Sequence, residues 1–224
     1  NWKRPIYFSG GAYDDEDFLW MKNYLQLDGM TYKLVPIKTE IPKDASPLEM
    51  GGIDTDKMYA NVMKWDWGNS ESLSIYHDPE TRKNSITYRS YLSRLMNQLI
   101  LEGKKEKAKN IITLAMNKMP LEQFGYYSLL EPFAKGYYDL GENAKAQDLL
   151  SKLILKYKEN LKYYSSLTPS DQTSLAIDII TDIERYRSLL LVMKESGDVT
   201  FYNKNKAQFN TYVSIFERFG REKE

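Results

Sequence analysis

The sequence predicts a mainly α fold, in which a small N-terminal α/β segment is followed by a series of helical hairpins. Three observations support this prediction. Apolar residues recur at helical spacing from about residue 86 onward, and a glycine followed by an alanine five positions later occurs twice there. Short segments of strand-like composition are confined to the first forty residues or so. A fold that begins with strands and continues in paired helices accounts for all three.

The clearest signal is a repeated pattern between Arg89 and Tyr157. Its first unit consists of Leu92, Leu95, Met96, Leu99, Gly103, Ala108, Ile112, Ala115 and Pro120, and its second of Leu130, Phe133, Ala134, Tyr137, Gly141, Ala146, Leu150 and Leu153. Large apolar residues on a first helix, a glycine in the turn and a small residue where the second helix crosses match the tetratricopeptide pattern. The alternative is an ordinary helical bundle in which two such turns coincide.

These patterns divide the chain into three predicted parts. Residues 1–68 form a small α/β segment of strand, helix, strand and short helix, residues 69–85 form a loop, and residues 86–224 form the tetratricopeptide-like region. The final helix pair of that region lacks the small crossing residue, so we interpret it as a degenerate cap. Terminal repeats depart from the pattern because one of their faces has no neighbour to bury against.

Within the first part, residues 3–9 have the aromatic and β-branched composition of a strand. Acidic residues from Asp14 to Asp17 precede a predicted helix over 18–27, where they favour capping over a cation site. Residues 31–38 alternate as a second strand, which we expect to pair with the first, and a parallel crossover is compatible with this order. Residues 39–52 contain two prolines and two glycines and predict a loop.

A short helix is predicted to begin at Asp54 or Thr55, either of which has a side chain suited to the N-cap position. The lone histidine, His77, lies in the predicted loop before Asp78 and Pro79, where we expect an exposed turn residue rather than a proton shuttle. Near the other end of the chain, either Thr168 or Ser170 is predicted to cap the next helix, with Pro169 tolerated in its first turn.

Composition excludes several classes of function. Lysine and arginine together number 31, as do aspartate and glutamate, so no excess charge favours nucleic acid as a partner. The chain has no cysteine and one histidine, which excludes disulfides, cysteine-ligated zinc and a Ser-His-Asp triad. We therefore predict no metal or cofactor in this chain.

Paired helices of the tetratricopeptide type present a concave face formed mainly by the first helix of each pair. The register places six mostly polar residues there: Ser93, Asn97, Glu131, Lys135, Tyr138 and Asp139. These residues do not form a basic clamp for a carboxylate or an acidic peptide. The pattern thus predicts a short groove for a protein partner.

Aromatic residues support an alternative function. The chain contains 18 tyrosines, and Trp65 and Trp67 close the short helix that begins near Asp54. Exposed rings of this kind stack on sugars or peptides. A third and weaker hypothesis is a hydrolase or transferase site that draws on Asp14, Asp54 and Asp56.

Longer motifs resemble a known family over essentially the whole chain. They are NWKRPIYFSG, NYLQLDGMTYKLVPIK, GGIDTDKMYANVM and KWDWGN in the first part, and RSYLSRLMNQLILEGKKEKA in the helical part. They are similar to the segment that follows the last membrane span in a family of polytopic bacterial membrane proteins. That family is related to protein O-mannosyltransferases and other lipid-linked glycosyltransferases.

The resemblance implies a soluble C-terminal domain on the periplasmic face of the inner membrane, attached through membrane spans upstream of Asn1. It implies a glycosyltransferase-like parent whose catalytic acidic residues lie in the membrane portion, so no catalytic residue is assigned here. The expected function is a non-catalytic accessory domain that positions a protein acceptor or partner. The alternative is a carbohydrate-binding module that uses Trp65, Trp67 and surface tyrosines.

Overall fold

Strands occupy the start of the chain and helices the remainder in the computed structural model, which describes residues 4–9, 20–41 and 49–219. This confirms the predicted mainly α fold with a small α/β portion at its start. The described residues form two compact units that divide between Leu129 and Leu130. The division falls inside the region 86–224, which the sequence predicts to be one repeat region.

Four short strands form one sheet in the described part of the first unit. They are β1 (Tyr7–Ser9), β2 (Leu25–Asp28), β3 (Thr31–Leu34) and β4 (Gly52–Ile53), in the spatial order β1-β3-β2-β4. Strand β3 pairs antiparallel with β1 and with β2, whereas β4 pairs parallel with β2. The predicted pairing of the first strand with the segment 31–38 is confirmed, but the parallel crossover between them is wrong.

Strands β2 and β3 form a tight hairpin where the sequence predicts a helix over 18–27. Leu25 and Leu27 are buried, and the polar residues that alternate with them are half-exposed, as in a strand with one face on the core. Gly29 and Met30 are the two residues of the connecting turn. The helix prediction is therefore wrong here, while the acidic run before it lies outside the described residues.

Strand β4 approaches β2 so closely that only glycine fits at the residue before it. Gly51 is buried and has φ +72°, and a Cβ atom added to it would lie 2.5 Å from the carbonyl oxygen of Leu25. The Gly51 carbonyl also accepts a hydrogen bond of 2.9 Å from the guanidinium of Arg94. Gly51 therefore lies in close contact with the backbone of β2 and also accepts a hydrogen bond from Arg94 of the helical part.

Helix α1 (Thr55–Val62) begins where the sequence predicts, directly after β4. The Asp54 side chain caps it by accepting a hydrogen bond of 3.2 Å from the amide of Lys57. The next helix, α2 (Pro79–Leu101), begins inside the predicted loop 69–85, with Asp78 accepting from the amides of Glu80 and Thr81. A capping aspartate followed by proline is a strong helix start.

The remaining helices follow one another through short turns. They are α3 (Lys105–Lys118) and α4 (Leu121–Phe124) in the first unit, then α5 (Glu131–Asp139), α6 (Asn143–Ser165), α7 (Pro169–Ser174), α8 (Ala176–Glu195) and α9 (Val199–Ile215) in the second. Consecutive long helices pack in pairs, α2 with α3, α5 with α6 and α8 with α9. The predicted cap at Thr168 is confirmed, since its hydroxyl accepts from the amide of Asp171 at 3.3 Å.

The same backbone turn ends the first helix of all three pairs. A glycine with φ of +73° to +78° occupies each turn, at Gly103, Gly141 and Gly197. In each case the next residue's amide donates to the carbonyl five positions earlier, and the glycine amide donates to the carbonyl three positions earlier. This is the Schellman motif, which uses carbonyls that the helix end leaves unpaired. The third pair thus shares the turn, although Tyr202 stands where the first two pairs have a buried alanine.

The apolar positions of the predicted repeat form the helical core. Every apolar residue of its first unit from Leu92 to Ala115 is buried, and so is every one of its second unit except the half-exposed Tyr137. The crossing residues Ala108 and Ala146 are both fully buried. The helix pairing and its buried face are as expected, while the assignment to the tetratricopeptide class stays a prediction.

The second unit buries one carboxyl group. Asp182 of α8 is 6% exposed and accepts a hydrogen bond of 2.8 Å from the carboxamide of Asn160 in α6. Burial raises the pKa of Asp182 above its ordinary value, although Asn160 and Arg185 act in the opposite direction. The folded protein therefore favours the protonated carboxyl more than the unfolded chain does, and ionisation of this group opposes folding.

We expect Asp182→Asn to raise the free energy of unfolding at pH 7 by about 1 kcal/mol, since it removes a buried charge and keeps the acceptor for Asn160. The pKa of Asp182 is higher in the folded protein than in the unfolded chain. The wild type therefore becomes less stable relative to the variant as the pH rises from about 4 through the folded-state pKa of Asp182. Urea unfolding followed by far-UV circular dichroism at pH 4 to 7 measures the difference in the free energy of unfolding between variant and wild type. A difference in the free energy of unfolding that does not grow with pH would contradict the assignment, and so would an equal effect of the control Asp148→Asn, which changes an exposed carboxylate of α6.

Candidate functional site

An open cleft of about 420 Å³ lies in the first unit, beside the start of α2. Four stretches of chain line it: the turn between β2 and β3, the turns after α1, the first turns of α2, and the segment from the end of α3 through α4. We call it the aromatic cleft and define it by Met30, Trp65, Asp66, Trp67, Gly68, Ser70, His77, Thr81, Asn84, Ser85, Tyr88, Met119 and Phe124. It contains both tryptophans that the sequence proposes as ligand contacts.

Three rings form the wall that gives the cleft its name. The ring centroids of Trp65 and Trp67 are 5.7 Å apart, and each lies 5.5 Å from that of Tyr88. Trp65 meets Tyr88 edge to face at 88°, an arrangement that aligns the positive edge of one ring with the negative face of the other. All three side chains are half-exposed, so each keeps part of its surface accessible.

A sharp turn places the two tryptophans side by side. The amide of Trp65 donates to the carbonyl of Val62 at 3.1 Å, which ends α1, and Gly68 then reverses the chain with φ +54°. One carboxylate oxygen of Asp66 accepts from the Gly68 amide at 2.9 Å. The two rings lie on the same side of this turn, since their centroids are 5.7 Å apart.

His77 is not the exposed turn residue that the sequence predicts. It is 9% exposed, its ring stacks on Phe124 with the centroids 4.5 Å apart, and its Nε2 lies 2.8 Å from the carbonyl oxygen of Ser70. A carbonyl only accepts, so Nε2 carries the hydrogen of this bond. The backbone carbonyl of His77 accepts from Arg82 at 3.0 Å, which ties this turn to α2.

Some polar side chains of the cleft form hydrogen bonds to other protein groups, and others do not. The hydroxyl of Ser70 donates to the carbonyl of Lys118 at 2.7 Å, and the hydroxyl of Thr81 donates to Asp78 at 2.6 Å. The carboxamide of Asn84 is exposed and makes no hydrogen bond to another residue in the described part of the chain. Together with one oxygen of Asp66, this carboxamide is available to a ligand.

A buried arginine fixes one of the chain segments that line the cleft. Arg89 is fully buried, and its guanidinium donates to the carbonyl of Met119 at 2.8 Å and to that of Gly125 at 2.5 Å. Burial lowers the pKa of Arg89 to about 10, so the group stays charged at neutral pH. These bonds fix the segment that carries Met119 and Phe124, both of which line the cleft.

The charge of the cleft lining is low. It contains no lysine or arginine, and its only carboxylate is that of Asp66. The neighbouring Glu71 pairs with Lys118 outside the lining, and this pair lowers the pKa of Glu71. The cleft thus offers aromatic faces and neutral hydrogen-bonding groups.

The residues predicted for the concave face lie in different units and are described separately. In the first unit Asn97 is exposed, but Ser93 is 8% exposed and its hydroxyl donates to the carbonyl of Ser90 at 2.9 Å. Ser93 is therefore a buried helix residue rather than a surface contact.

In the second unit, the four other predicted contacts take part in local pairs. Lys135 and Asp139 form an ion pair of 2.6 Å along one face of α5, and Glu131 accepts from Ser188 at 2.7 Å. The Tyr138 hydroxyl donates to Asp198 at 2.9 Å, and burial together with this bond raises the pKa of Tyr138. A groove that joins these residues to those of the first unit stays a prediction.

The carboxylates of the third hypothesis have structural roles. Asp54 caps α1 and pairs with Lys57 at 2.6 Å, while Asp56 pairs with Lys104 at 2.9 Å and Lys107 at 2.6 Å. The last two bonds lower the pKa of Asp56 to about 2. Asp14 lies outside the described residues. The pair Asp54 and Asp56 is thus committed to capping and ion pairing.

Sequence reasoning missed the half of the cleft that α2 supplies. Thr81, Asn84, Ser85 and Tyr88 are spaced i, i+3, i+4 and i+7, which places them on one face of a helix. The signal becomes visible once the helix is started at Pro79. Phe124 gives no comparable signal, because its position depends on contacts far along the chain.

Comparison with known proteins gives one match. Residues 1–57 match the family model described as TMEM260-associated domain 2, a family linked to a membrane protein. No curated protein and no solved structure matches the chain. Within the described ranges, no helix has the length and apolar composition needed to cross a bilayer, and no three potential ligands from histidine, cysteine, aspartate and glutamate group around a metal position.

Proposed function

We propose that this chain is a non-catalytic accessory domain of a membrane protein, and that it holds a group of its ligand or partner in the aromatic cleft. The match of residues 1–57 to a family linked to a membrane protein supports the first part. The motif resemblance described above supports the finer proposal of a periplasmic domain attached to a glycosyltransferase-like parent. The domain then positions the acceptor while the membrane portion performs the transfer.

The observation that carries the proposal is the cleft itself. Ligand sites are concave, predominantly apolar or aromatic, and carry a few convergent polar groups. The cleft has this composition, with the rings of Trp65, Trp67 and Tyr88 beside Asp66 and Asn84. Three half-exposed aromatic side chains in one concave surface are costly to leave unoccupied by a ligand.

The ionisable groups of the cleft favour binding over catalysis. The carboxylate of Asp66 accepts from the backbone at Gly68, and the Nε2 of His77 is committed to the carbonyl of Ser70. General acid and base catalysis requires groups that are free to exchange protons with the substrate, usually two of them. The cleft lining has one carboxylate, that of Asp66, and one of its oxygens already accepts a hydrogen bond from the turn at Gly68.

We expect Asn84→Trp in the full-length membrane protein to lower glycosylation of its acceptors at least fivefold, because the larger side chain fills the cleft from its exposed rim. Lectin blots of membrane and exported proteins measure the effect in cells that carry the variant in place of the wild type. Lys105→Trp, which adds the same side chain to the exposed surface of α3, serves as the matched control.

Both variants replace exposed residues, so equal amounts of protein in the membrane fraction are expected. Unchanged glycosylation by a folded Asn84→Trp variant would refute a role for the cleft. A loss of glycosylation that is equal in both variants would show that the added indole, rather than the cleft, causes it.

A further inference from the structure

We infer that the aromatic cleft binds a neutral sugar ring of pyranose size, which stacks on the aromatic wall and is hydrogen-bonded by Asn84 and Asp66. This inference rests on the proposed function, since it names the ligand of the same cleft. Four properties of the site lead to it: the spacing of the rings, the absence of cationic side chains from the lining, the kind of free polar groups and the volume.

Ring spacing distinguishes a stacking wall from an aromatic cage. A cage recognises a quaternary ammonium group by surrounding it with rings. With centroids 5.5 to 5.7 Å apart, the centre of the triangle formed by the rings of Trp65, Trp67 and Tyr88 lies only about 3 Å from each centroid, less than the contact distance of a methyl group on a ring face, so no ligand group fits between the rings in that plane. The three rings pack on one another, so a ligand meets their outer surfaces.

The lining selects against anionic ligands. Phosphate and carboxylate groups are recognised by arginine, lysine or clustered backbone amides, and the cleft lining has neither of the two basic side chains. Its one carboxylate, on Asp66, repels an anion. A phosphorylated sugar or an acidic peptide is therefore a poor fit, whereas an uncharged polyol is not penalised.

The free polar groups suit hydroxyls. The Asn84 carboxamide provides two donors and one acceptor, and the oxygen of Asp66 that Gly68 does not use is a strong acceptor. A sugar hydroxyl donates and accepts, so it pairs with either group. A pyranose also presents C–H groups on one face, which makes it amphipathic in the way that the aromatic wall and the polar rim require.

Volume limits the ligand to a short saccharide. About 420 Å³ lies near the lower end of the roughly 300–1,000 Å³ that small-ligand pockets span. That space accommodates one or two sugar rings. The cleft is open to solvent, so a sugar bound in it can stay attached to a larger molecule.

The test is a binding assay with the 224-residue chain. Saturation-transfer difference NMR and tryptophan fluorescence are recorded with the methyl pyranosides of glucose, mannose, galactose and N-acetylglucosamine. Glucose 6-phosphate serves as the charged probe, and N-acetylphenylalanine amide as the aromatic peptide probe. We expect at least one neutral pyranoside to bind with a millimolar dissociation constant, and glucose 6-phosphate to bind at least tenfold more weakly than glucose.

Two asparagines on α2 provide matched variants. We expect Asn84→Ala to weaken the bound pyranoside at least fivefold, and Asn97→Ala, which changes an exposed asparagine outside the cleft, to leave it unchanged. Because both side chains are exposed, neither change is expected to unfold the chain. Unfolding curves of both variants test this expectation.

Three outcomes would overturn the sugar inference: no pyranoside binds at 50 mM, the phosphorylated sugar binds as well as the neutral one, or Asn84→Ala has no effect. Binding of N-acetylphenylalanine amide alone would overturn it and still support the cleft as a site for a protein partner. If no probe binds and Asn84→Trp leaves glycosylation unchanged in the full-length protein, the proposed function fails as well.

Discussion

Replacing Arg89 by alanine is expected to lower the free energy of unfolding of the first unit by about 4 kcal/mol. The guanidinium is fully buried and donates to the backbone carbonyls of Met119, Gly125 and Tyr126. Alanine leaves the carbonyls of Met119 and Gly125 without this donor and opens a cavity of several methylene groups, whereas the Tyr126 carbonyl still accepts from the amide of Leu129. Removal of one partner from a buried polar network is among the most destabilising single changes.

The measurement is urea unfolding followed by tryptophan fluorescence. All four tryptophans precede residue 68, so this signal reports the first unit. Arg89→Met separates the two contributions, because it keeps most of the volume and removes the donors, and we expect it to cost about 2 kcal/mol. The control Lys83→Ala, an exposed residue of the same helix, should stay within about 0.5 kcal/mol of the wild type.

A methionine variant as stable as the wild type would show that the hydrogen bonds of Arg89 contribute no net stability. That result is physically reasonable for some buried charges, since apolar replacements of similar volume are neutral or stabilising in certain proteins. The expectation here differs because the partners of Arg89 are backbone carbonyls, which an apolar side chain leaves unpaired.

Gly51→Ala is expected to destabilise the first unit by about 3 kcal/mol. The substitution adds a Cβ atom 2.5 Å from the carbonyl oxygen of Leu25 and 2.8 Å from its carbonyl carbon, at a backbone φ of +72°. The neighbouring atoms belong to the sheet backbone, which cannot rotate away as a side chain does. Separation of β4 from β2 relieves the clash, and this breaks their parallel pairing.

Gly103→Ala is a closely matched control. Gly103 has φ +73°, but no atom lies within 4 Å of its added Cβ. Its cost is therefore the conformational cost alone, about 1 kcal/mol. The difference between the two variants in the same fluorescence-detected unfolding assay measures the close approach of the two strands. Equal losses in both variants would contradict the steric explanation.

The helical part of the fold was predictable because its signals are local. Glycine at the turn, apolar residues at i, i+3 and i+4, and capping side chains such as Thr168 all act within a few residues, and the structure places them as expected. The strand at Leu25 was not recognised. Its two alternating leucines are followed by Asp28 and Gly29, a dipeptide that favours hairpins, yet the stretch also fits the end of a helix.

The candidate site was predictable only in part. The sequence places the start of α2 near residue 86 instead of Pro79, so the cleft residues on its first turns were not recognised. Trp65 and Trp67 were identified from residue type alone, and the structure brings them together. Tyr88 and Asn84 became relevant once α2 extended back to Pro79. The position of Arg89 at the back of the cleft could not be inferred, because a buried arginine bonded to backbone carbonyls leaves no pattern in the sequence.

The recurring glycine turn has a consequence for how such a chain changes during evolution. Each turn forms its hydrogen bonds within its own helix, so its closure does not depend on the sequence of the neighbouring pair. A segment that extends from one such glycine to the next carries its own stop signal. A substitution in one helix pair therefore leaves the hydrogen bonds that close the other two turns unchanged.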